Sequence, residues 1–144
     1  MSTEAEVRKA SEKFYAALNQ MGNGQKGAMA DAWSHGPAVT AMHPIGGRTM
    51  GWAAVRDSFD QVAEMASEGK IGLKDQVIQV VGDMAYELGI EHGEFKMAGH
   101  HVSLDHRVTN IYKREAAGWK LVHHHTDTSP GMLDVLSRVQ PPSA

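Results

Sequence analysis

Histidine is the residue type best suited to chemistry in this sequence, with nine copies among 144 residues. His123, His124 and His125 are consecutive, and His100 and His101 are adjacent. An imidazole changes its protonation state near neutral pH, so it can act as a general base or acid, and it can also bind a metal ion. Because the sequence contains no cysteine, disulfides, thiolate nucleophiles and cysteine zinc sites are excluded.

The histidine spacing also bears on metal binding. Alternation along a strand places His123 and His125 on one face, where they could share an ion with His43 or Asp127 as a third ligand. The sequence has no HExxH motif or comparable spacing. We therefore predict no metal site and no cofactor. We expect one histidine to line a pocket while the others pack or form hydrogen bonds.

Arg107 is the second candidate for chemistry. In a strand over residues 102–113, Arg107 and Thr109 share one face. If this face looks inward, the guanidinium needs a partner, because an unpaired buried charge is costly. The partner would be Glu87 or Glu91 on the neighbouring strand, or an anionic ligand such as a carboxylate. We predict that Arg107 faces inward and contacts such a ligand.

The inward face of the last two strands decides this prediction. Alternation separates the histidine triplet, so that His123 and His125 share a face and His124 takes the other. A shift of one residue would exchange Arg107 for His106 and His123 for His124.

Periodicity divides the chain into helices followed by strands. Apolar residues at spacings of three and four from Val7 to Met21 predict a first helix, with Thr3 and Glu6 at the capping-box spacing and Gly22 as its end. Further helices are predicted over residues 25–33, 52–66 and 132–139, and strands over residues 38–43, 73–81, 85–97, 102–113 and 119–126. Helices segregated from hairpin-connected strands are typical of an α+β fold with a pocket between sheet and helices.

Length and charge restrict the remaining choices. We expect one domain over residues 1–144, with a core over about 4–128 and a C-terminal tail over 129–144. The net charge of −3, without a basic block, argues against a nucleic-acid partner. No apolar run approaches the ~20 residues of a membrane span. The charged N-terminus lacks the apolar segment of a secretion signal, so we predict a cytoplasmic protein.

Four features, taken in order, resemble the nuclear transport factor 2-like superfamily, in particular its SnoaL-like and ketosteroid-isomerase-related members. They are Phe14-Tyr15 on the first helix, AMHPIG at 41–46 leading to GWAAVR at 51–56, RVTNIYKR at 107–114 followed by GWKLVH at 118–123, and the pair His123 and His125. The last two strands also resemble the association domain of calcium/calmodulin-dependent kinase. The resemblance implies a cone-shaped, curved antiparallel sheet wrapped around N-terminal helices, the cystatin-like roll.

The resemblance also implies roles for particular residues. In ketosteroid isomerases an aspartate before the corresponding proline is the general base, and His43 stands in that position, ahead of Pro44. Tyr15 would lie near the tyrosine of their oxyanion hole. Asp105 lies near the start of its strand and is no convincing match for their protonated aspartate. This mismatch argues against steroid isomerisation itself.

We therefore predict a pocket protein, without a cofactor, for a small apolar or aromatic carbonyl or carboxylate compound. If it is an enzyme, its chemistry is proton transfer next to a carbonyl, of the isomerase, cyclase or dehydratase type. The predicted catalytic residues are His43 as the base, with Arg107 and either His125 or Tyr15 stabilising the enolate. The predicted ligand-binding residues are Tyr15, Trp33, Trp52, Ile90, Thr109 and His123.

The alternative is a non-catalytic ligand-binding or homodimeric assembly module. An antiparallel sheet covered by helices on one side leaves its other face to cover, so we expect a homodimer through the sheet face. The two readings differ at the pocket floor. An enzyme would have His43 facing Arg107 or a histidine across a cavity, whereas a module would have these groups paired and the cavity filled.

Overall fold

The structure is a computed structural model that describes residues 2–139. Its elements in chain order are α1 (Thr3–Gly22), β1 (Thr40–His43), β2 (Gly46–Met50), α2 (Trp52–Ala63), β3 (Ala66–Val81), β4 (Met84–Met97), β5 (His100–Glu115), β6 (Gly118–Thr126) and α3 (Pro130–Val139). The last residues of the predicted tail, 140–144, lie outside the described residues.

The strands of this range form one curved, unclosed sheet in the order β2-β1-β6-β5-β4-β3. Neighbouring strands are antiparallel except β1 and β6, which run parallel with Thr40 opposite His123. The predicted α+β class is confirmed, but the sheet is mixed rather than wholly antiparallel. Parallel neighbours need a long crossover, and here the chain passes through α2 and three long strands before β6 returns beside β1.

The first helix agrees with its prediction apart from its cap. The predicted apolar stripe is buried from Val7 to Met21. The N-cap is Ser2, whose hydroxyl accepts a 3.2 Å hydrogen bond from the backbone N–H of Ala5, instead of the predicted capping box at Thr3. The cap satisfies one of the backbone N–H groups that the first helical turn leaves free.

Several predicted elements differ from the structure; β3, for example, begins at Ala66 rather than at the predicted residue 73. The segment from residue 26 to residue 32 forms turns rather than a helix, and Gly27 there adopts a φ of 78°. α2 ends at Ala63, because the chain enters β3 at Ala66. The edge strand β2 was not predicted, since its glycines resemble a break, whereas the actual turn is Pro44-Ile45 between His43 and Gly46.

The helices cover one face of the sheet, called here the inner face. Phe14 of α1 packs edge-on against Trp33 and against Phe59 of α2, each with ring centroids 6.4 Å apart. At the end of α1, Gly69 of β3 approaches so closely that a Cβ there would lie 2.8 Å from the Gly22 carbonyl oxygen. The core therefore lies between the inner face and the helices.

The inner face of β5 is opposite to the one that the prediction chose. The buried residues are His106, Val108, Asn110 and Tyr112, whereas the Arg107 side chain is 83% exposed. The expectation that Arg107 faces inward is wrong. Alternation defines two faces of a strand, and it does not say which one the helices cover.

An irregularity in β6 changes which histidine points inward. Leu121 pairs with Tyr112 and His123 pairs with Ile111, so Val122 is an extra residue in the strand. Such a bulge moves the residues beyond it to the opposite face. Leu121 and His124 are consequently both buried, and the predicted inward orientation of His123 and His125 is wrong.

Candidate functional site

A cavity of about 50 Å³ lies between the helices and the inner face. Its walls are mainly apolar and include Leu18 of α1, Phe59 of α2, Phe95 of β4, Leu104 of β5 and Met132 of α3. Its polar lining consists of His43, Ser58, Glu91, His106 and His124. An apolar enclosure with a few convergent polar groups is the usual form of a small-molecule site.

Glu91 of β4 is the charged centre of this lining. Its side chain is 4% exposed and accepts hydrogen bonds from His106 Nε2 at 2.8 Å and from the Tyr15 hydroxyl at 2.9 Å. Burial by itself raises the pKa of Glu91, but the bond from His106 and the neighbouring His124 outweigh it and lower the pKa. The carboxylate therefore stays ionised inside the protein.

His106 binds this carboxylate through one ring nitrogen and leaves the other without a hydrogen bond in the described part of the chain. Its Nε2 is occupied by Glu91, and its buried Nδ1 has no hydrogen-bond partner among residues 2–139. A carboxylate that fixes one ring nitrogen leaves the other as the site of proton exchange. The pair thus has the arrangement of an oriented general base.

A hydrogen-bonded chain continues from the cavity into the sheet. Asn110 donates from Nδ2 to the Tyr15 hydroxyl at 3.1 Å and to Glu87 Oε1 at 3.0 Å. His124 Nδ1 lies 2.6 Å from Asn110 Oδ1. Glu87, which is fully buried, also accepts from Tyr112 at 2.8 Å. Burial and the Glu91 carboxylate raise the pKa of Tyr15, so the phenol keeps its proton.

His43 stands on the α2 side of the cavity. Its Nε2 lies 2.8 Å from Ser58 Oγ, and its ring centroid is 6.0 Å from that of His124. Burial, together with nearby His124, lowers the pKa of His43 to about 3. The imidazole is therefore neutral at neutral pH. His43 and His124 lie beside each other in the cavity lining.

Three predicted residues lie at or near the inner side. Tyr15 is outside the cavity lining but contacts it through Glu91. Trp33 is buried in the aromatic core. Trp52 lies at the start of α2 and stacks on His35, with ring centroids 4.4 Å apart. Neither tryptophan lines the cavity.

The other predicted residues lie on the outer face of the sheet. Ile90, Arg107, Thr109 and His125 line a shallow outer depression, and Arg107 is held by Asp127 through 2.8 and 3.0 Å bonds. His123, in the same outer orientation, bonds to Thr40 with its Nδ1 2.6 Å from Oγ1. None of them lines the cavity at Glu91, so the expected meeting of Arg107 and His125 with His43 is wrong.

Glu91, His106 and His124 were not among the predicted site residues. Glu87 and Glu91 alternate with apolar Tyr86 and Leu88 along β4, and an apolar row is normally the buried one. Here the glutamates are buried, while Tyr86 and Leu88 are about 40% exposed. The pattern that could have identified them is the alternation that places polar residues on the same face of two adjacent strands.

Residues 2–139 contain neither a metal-ligating cluster nor a helix suited to crossing a membrane. No group of three histidine or acidic side chains in this range is arranged to hold a metal ion. No helix in the same range combines the length and apolar character needed to cross a membrane.

A family model of the SnoaL-like domain matches residues 7–128, which is most of the chain. The chain belongs to the SnoaL-like family. The predicted superfamily is thereby confirmed. No curated protein matches this SnoaL-like sequence.

Solved structures share the fold of this SnoaL-like chain. A candidate dehydratase of the NTF2-like family from Streptomyces avermitilis aligns with a TM-score of 0.77 at 24% identity, over 87% of this chain and 94% of its own. A candidate aromatic ring hydroxylase from Novosphingobium aromaticivorans gives 0.74 at 18% identity, over 87% of both chains. The CaMKII hub of S. rosetta gives 0.69 at 23% identity, over 88% of this chain and 97% of its own. These similarities show the fold.

Proposed function

We propose that this SnoaL-like protein catalyses proton transfer at a carbon next to a carbonyl group, with His106 as the base. The observation that carries the proposal is the unpartnered, buried Nδ1 of His106 on an imidazole fixed by Glu91. The candidate dehydratase with the same fold supports chemistry of this class, because dehydration next to a carbonyl can begin with the same proton abstraction.

The proposed step follows from the hydrogen bonds of the pair. His106 Nδ1 takes the proton, the electrons of the carbon–hydrogen bond move toward the carbonyl oxygen, and an enolate forms whose negative charge is balanced by the new positive charge and Nδ1–H donor of His106. Glu91 stabilises the resulting imidazolium, since its carboxylate already accepts from Nε2 at 2.8 Å. The imidazolium returns its proton to carbon or to oxygen, so no cofactor is needed. The apolar walls strengthen these electrostatic interactions by excluding water.

This proposal reassigns the base. A pKa near 3 makes His43 a weak proton acceptor, and a catalytic base works best when its pKa lies near the operating pH. His43 is instead suited to orienting the ligand by a hydrogen bond. Arg107 and His125 take no part in the proposed step, because neither lines the cavity.

Hydroxyacetone in D₂O tests the proposal, because base-catalysed proton abstraction exchanges its carbon-bound hydrogens for deuterium. We expect the protein to accelerate this exchange. His106→Gln keeps a donor for Glu91 but removes the basic nitrogen, and it should slow the exchange by about 10²–10⁴-fold. Proton NMR follows the loss of signal.

Arg107→Gln is the matched control, because Arg107 follows His106 directly in β5 but its side chain faces outward. This variant should catalyse the hydrogen–deuterium exchange of hydroxyacetone at the wild-type rate. Equal rates for wild type and His106→Gln would reject His106 as the base. A loss confined to Arg107→Gln would restore the predicted catalytic role of Arg107.

A homodimer through the outer sheet face is the proposed assembly of this chain, whether or not it is an enzyme. Apolar side chains are exposed on neighbouring outer-face positions of β3 and β4, namely Val77, Val81, Met84, Tyr86 and Leu88. An apolar patch of this kind marks an interaction surface. The S. rosetta structure with the same fold is named a hub, which supports a second copy as the partner.

Leu88→Arg is expected to weaken such a dimer at least about 100-fold, because it would bury an unpaired charge in an apolar interface. Sedimentation velocity over a range of protein concentrations measures the effect. Ala16→Arg, at an exposed position of α1, should leave association unchanged. A wild-type protein that stays monomeric at all concentrations would remove the assembly proposal.

A further inference from the structure

We infer that the cavity selects a neutral, hydroxyl-bearing ligand and rejects a carboxylate, because its polar atoms are hydrogen-bond acceptors. This rests on the proposed function, as it names the substrate class of the same site. It departs from the sequence prediction, which allowed a carboxylate bound by Arg107. The hydrogen-bond network determines which atom of each pair is the donor. The atoms left free in the cavity then determine whether a ligand must donate or accept.

The tautomer of His124 follows from Asn110. The Asn110 amide group donates both to Glu87 and to the Tyr15 hydroxyl. Its oxygen is then the atom 2.6 Å from His124 Nδ1, so Nδ1 carries the proton. Nε2 of His124 lies 3.9 Å from Glu91 Oε2, too far for a hydrogen bond. Burial lowers the pKa of His124 and keeps the ring neutral, so Nε2 is a free acceptor.

The tautomer of His43 follows from Ser58. The Ser58 hydroxyl donates its single proton to the Val55 carbonyl at 2.6 Å. It can therefore only accept from His43, whose Nε2 must carry the proton. The remaining nitrogen of this neutral ring, Nδ1, is an acceptor.

Glu91 and His106 add no donor in the base-competent state. Both oxygens of Glu91 already accept, one from His106 and one from Tyr15. With its Nε2 proton committed to Glu91, neutral His106 offers only the Nδ1 lone pair. No lysine or arginine is among the residues that line the cavity, within the described range. The lining therefore combines a negative charge with acceptors.

A hydroxyl group satisfies this lining and a carboxylate does not. A ligand hydroxyl can donate to His124 Nε2 or His43 Nδ1, which removes the cost of leaving buried acceptors unpaired. A carboxylate would bring a second negative charge beside Glu91 and would find no donor. The volume of about 50 Å³ admits a ligand of few non-hydrogen atoms.

Three small ketones of related shape separate the possibilities by direct binding. Hydroxyacetone offers a donor, methoxyacetone has the same skeleton without a donor, and pyruvate carries a carboxylate. NMR titration of the 144-residue protein should show hydroxyacetone binding at least about tenfold more tightly than methoxyacetone or pyruvate. Equal or tighter binding of pyruvate would overturn the inference.

Two variants make the test independent of folding and of catalysis. His43→Phe keeps a flat ring but removes the acceptor, so it should reduce the preference for hydroxyacetone over methoxyacetone, with an unchanged preference counting against the role of His43 Nδ1. His106→Gln lacks the proposed base, so binding selectivity retained in it supports the inference even if exchange is never seen. Exchange by wild type together with tight pyruvate binding would overturn the inference and leave the proposed function standing.

Discussion

Glu91→Ala is expected to lower the free energy of unfolding by about 2–6 kcal/mol, because it leaves two buried hydrogen-bond donors without their acceptor, at roughly 1–3 kcal/mol each. His106 Nε2 and the Tyr15 hydroxyl, both buried, lose the carboxylate to which they now donate. Urea unfolding at neutral pH, followed by circular dichroism, measures the loss. It is large compared with the total stability of an ordinary domain.

Glu94→Ala is the matched control for that loss. Glu94 lies on the same strand, and it pairs with His101 at the surface, with both side chains more than half exposed. Surface ion pairs contribute little, so this variant should change stability by less than ~1 kcal/mol. Similar losses in the two variants would mean that the interior network does not hold the fold as described.

Stability should also fall on acidification, and His43 is one reason, together with the buried His124, whose pKa burial also lowers. The pKa of His43 is 6.5 when the chain is unfolded and about 3 when folded. The folded state therefore binds fewer protons, and the stability from neutral His43 is complete above pH 6.5 and declines as the pH falls toward 3. At ~1.4 kcal/mol per pKa unit, His43 contributes roughly 4–5 kcal/mol to this decline.

His43→Gln removes the titrating group and keeps a donor for Ser58, so its stability should depend less on pH in this range. Thermal unfolding midpoints at intervals between pH 7 and pH 4 measure the difference. His101→Gln, at an exposed position, should follow the wild-type curve. The idea fails if His43→Gln loses stability with acid as steeply as wild type. Glu91 also makes the protein less stable in acid. Because the pKa of Glu91 is lower in the folded state than in the unfolded state, its contribution to stability is lost as the pH falls below the unfolded-state pKa.

The elements were more predictable than their orientation. The stripe from Val7 to Met21 and the hairpin-connected strands β4 to β6 follow from local periodicity, which depends on neighbouring residues. Which side of β5 faces the helices depends on packing over the whole fold, and two features misdirected it. Tyr86 and Leu88 form an apolar row on the outer side, where the proposed dimer would cover them.

The polar row on the inner side is the other feature. Glu87, Glu91, His106 and Asn110 are buried because each finds hydrogen-bond partners on an adjacent strand or on α1. Such partners come from distant parts of the sequence, so the cost of burial cannot be judged from one strand. His43 was selected because a resemblance placed it at the pocket, and it does line the cavity. The base role given to it depended on a pKa that only the folded environment determines.

The extra residue at Val122 has a consequence for how this chain tolerates insertions and deletions. In β6 the bulge places His124 inward, but its neighbours on both sides are the same residue type. A one-residue slip of the strand in either direction would therefore still present an imidazole to the cavity. Length changes in the hairpin loop, which would normally destroy a site on the following strand, exchange one histidine for another here. The three consecutive histidines therefore let this position of β6 keep an imidazole when the strand register shifts by one residue.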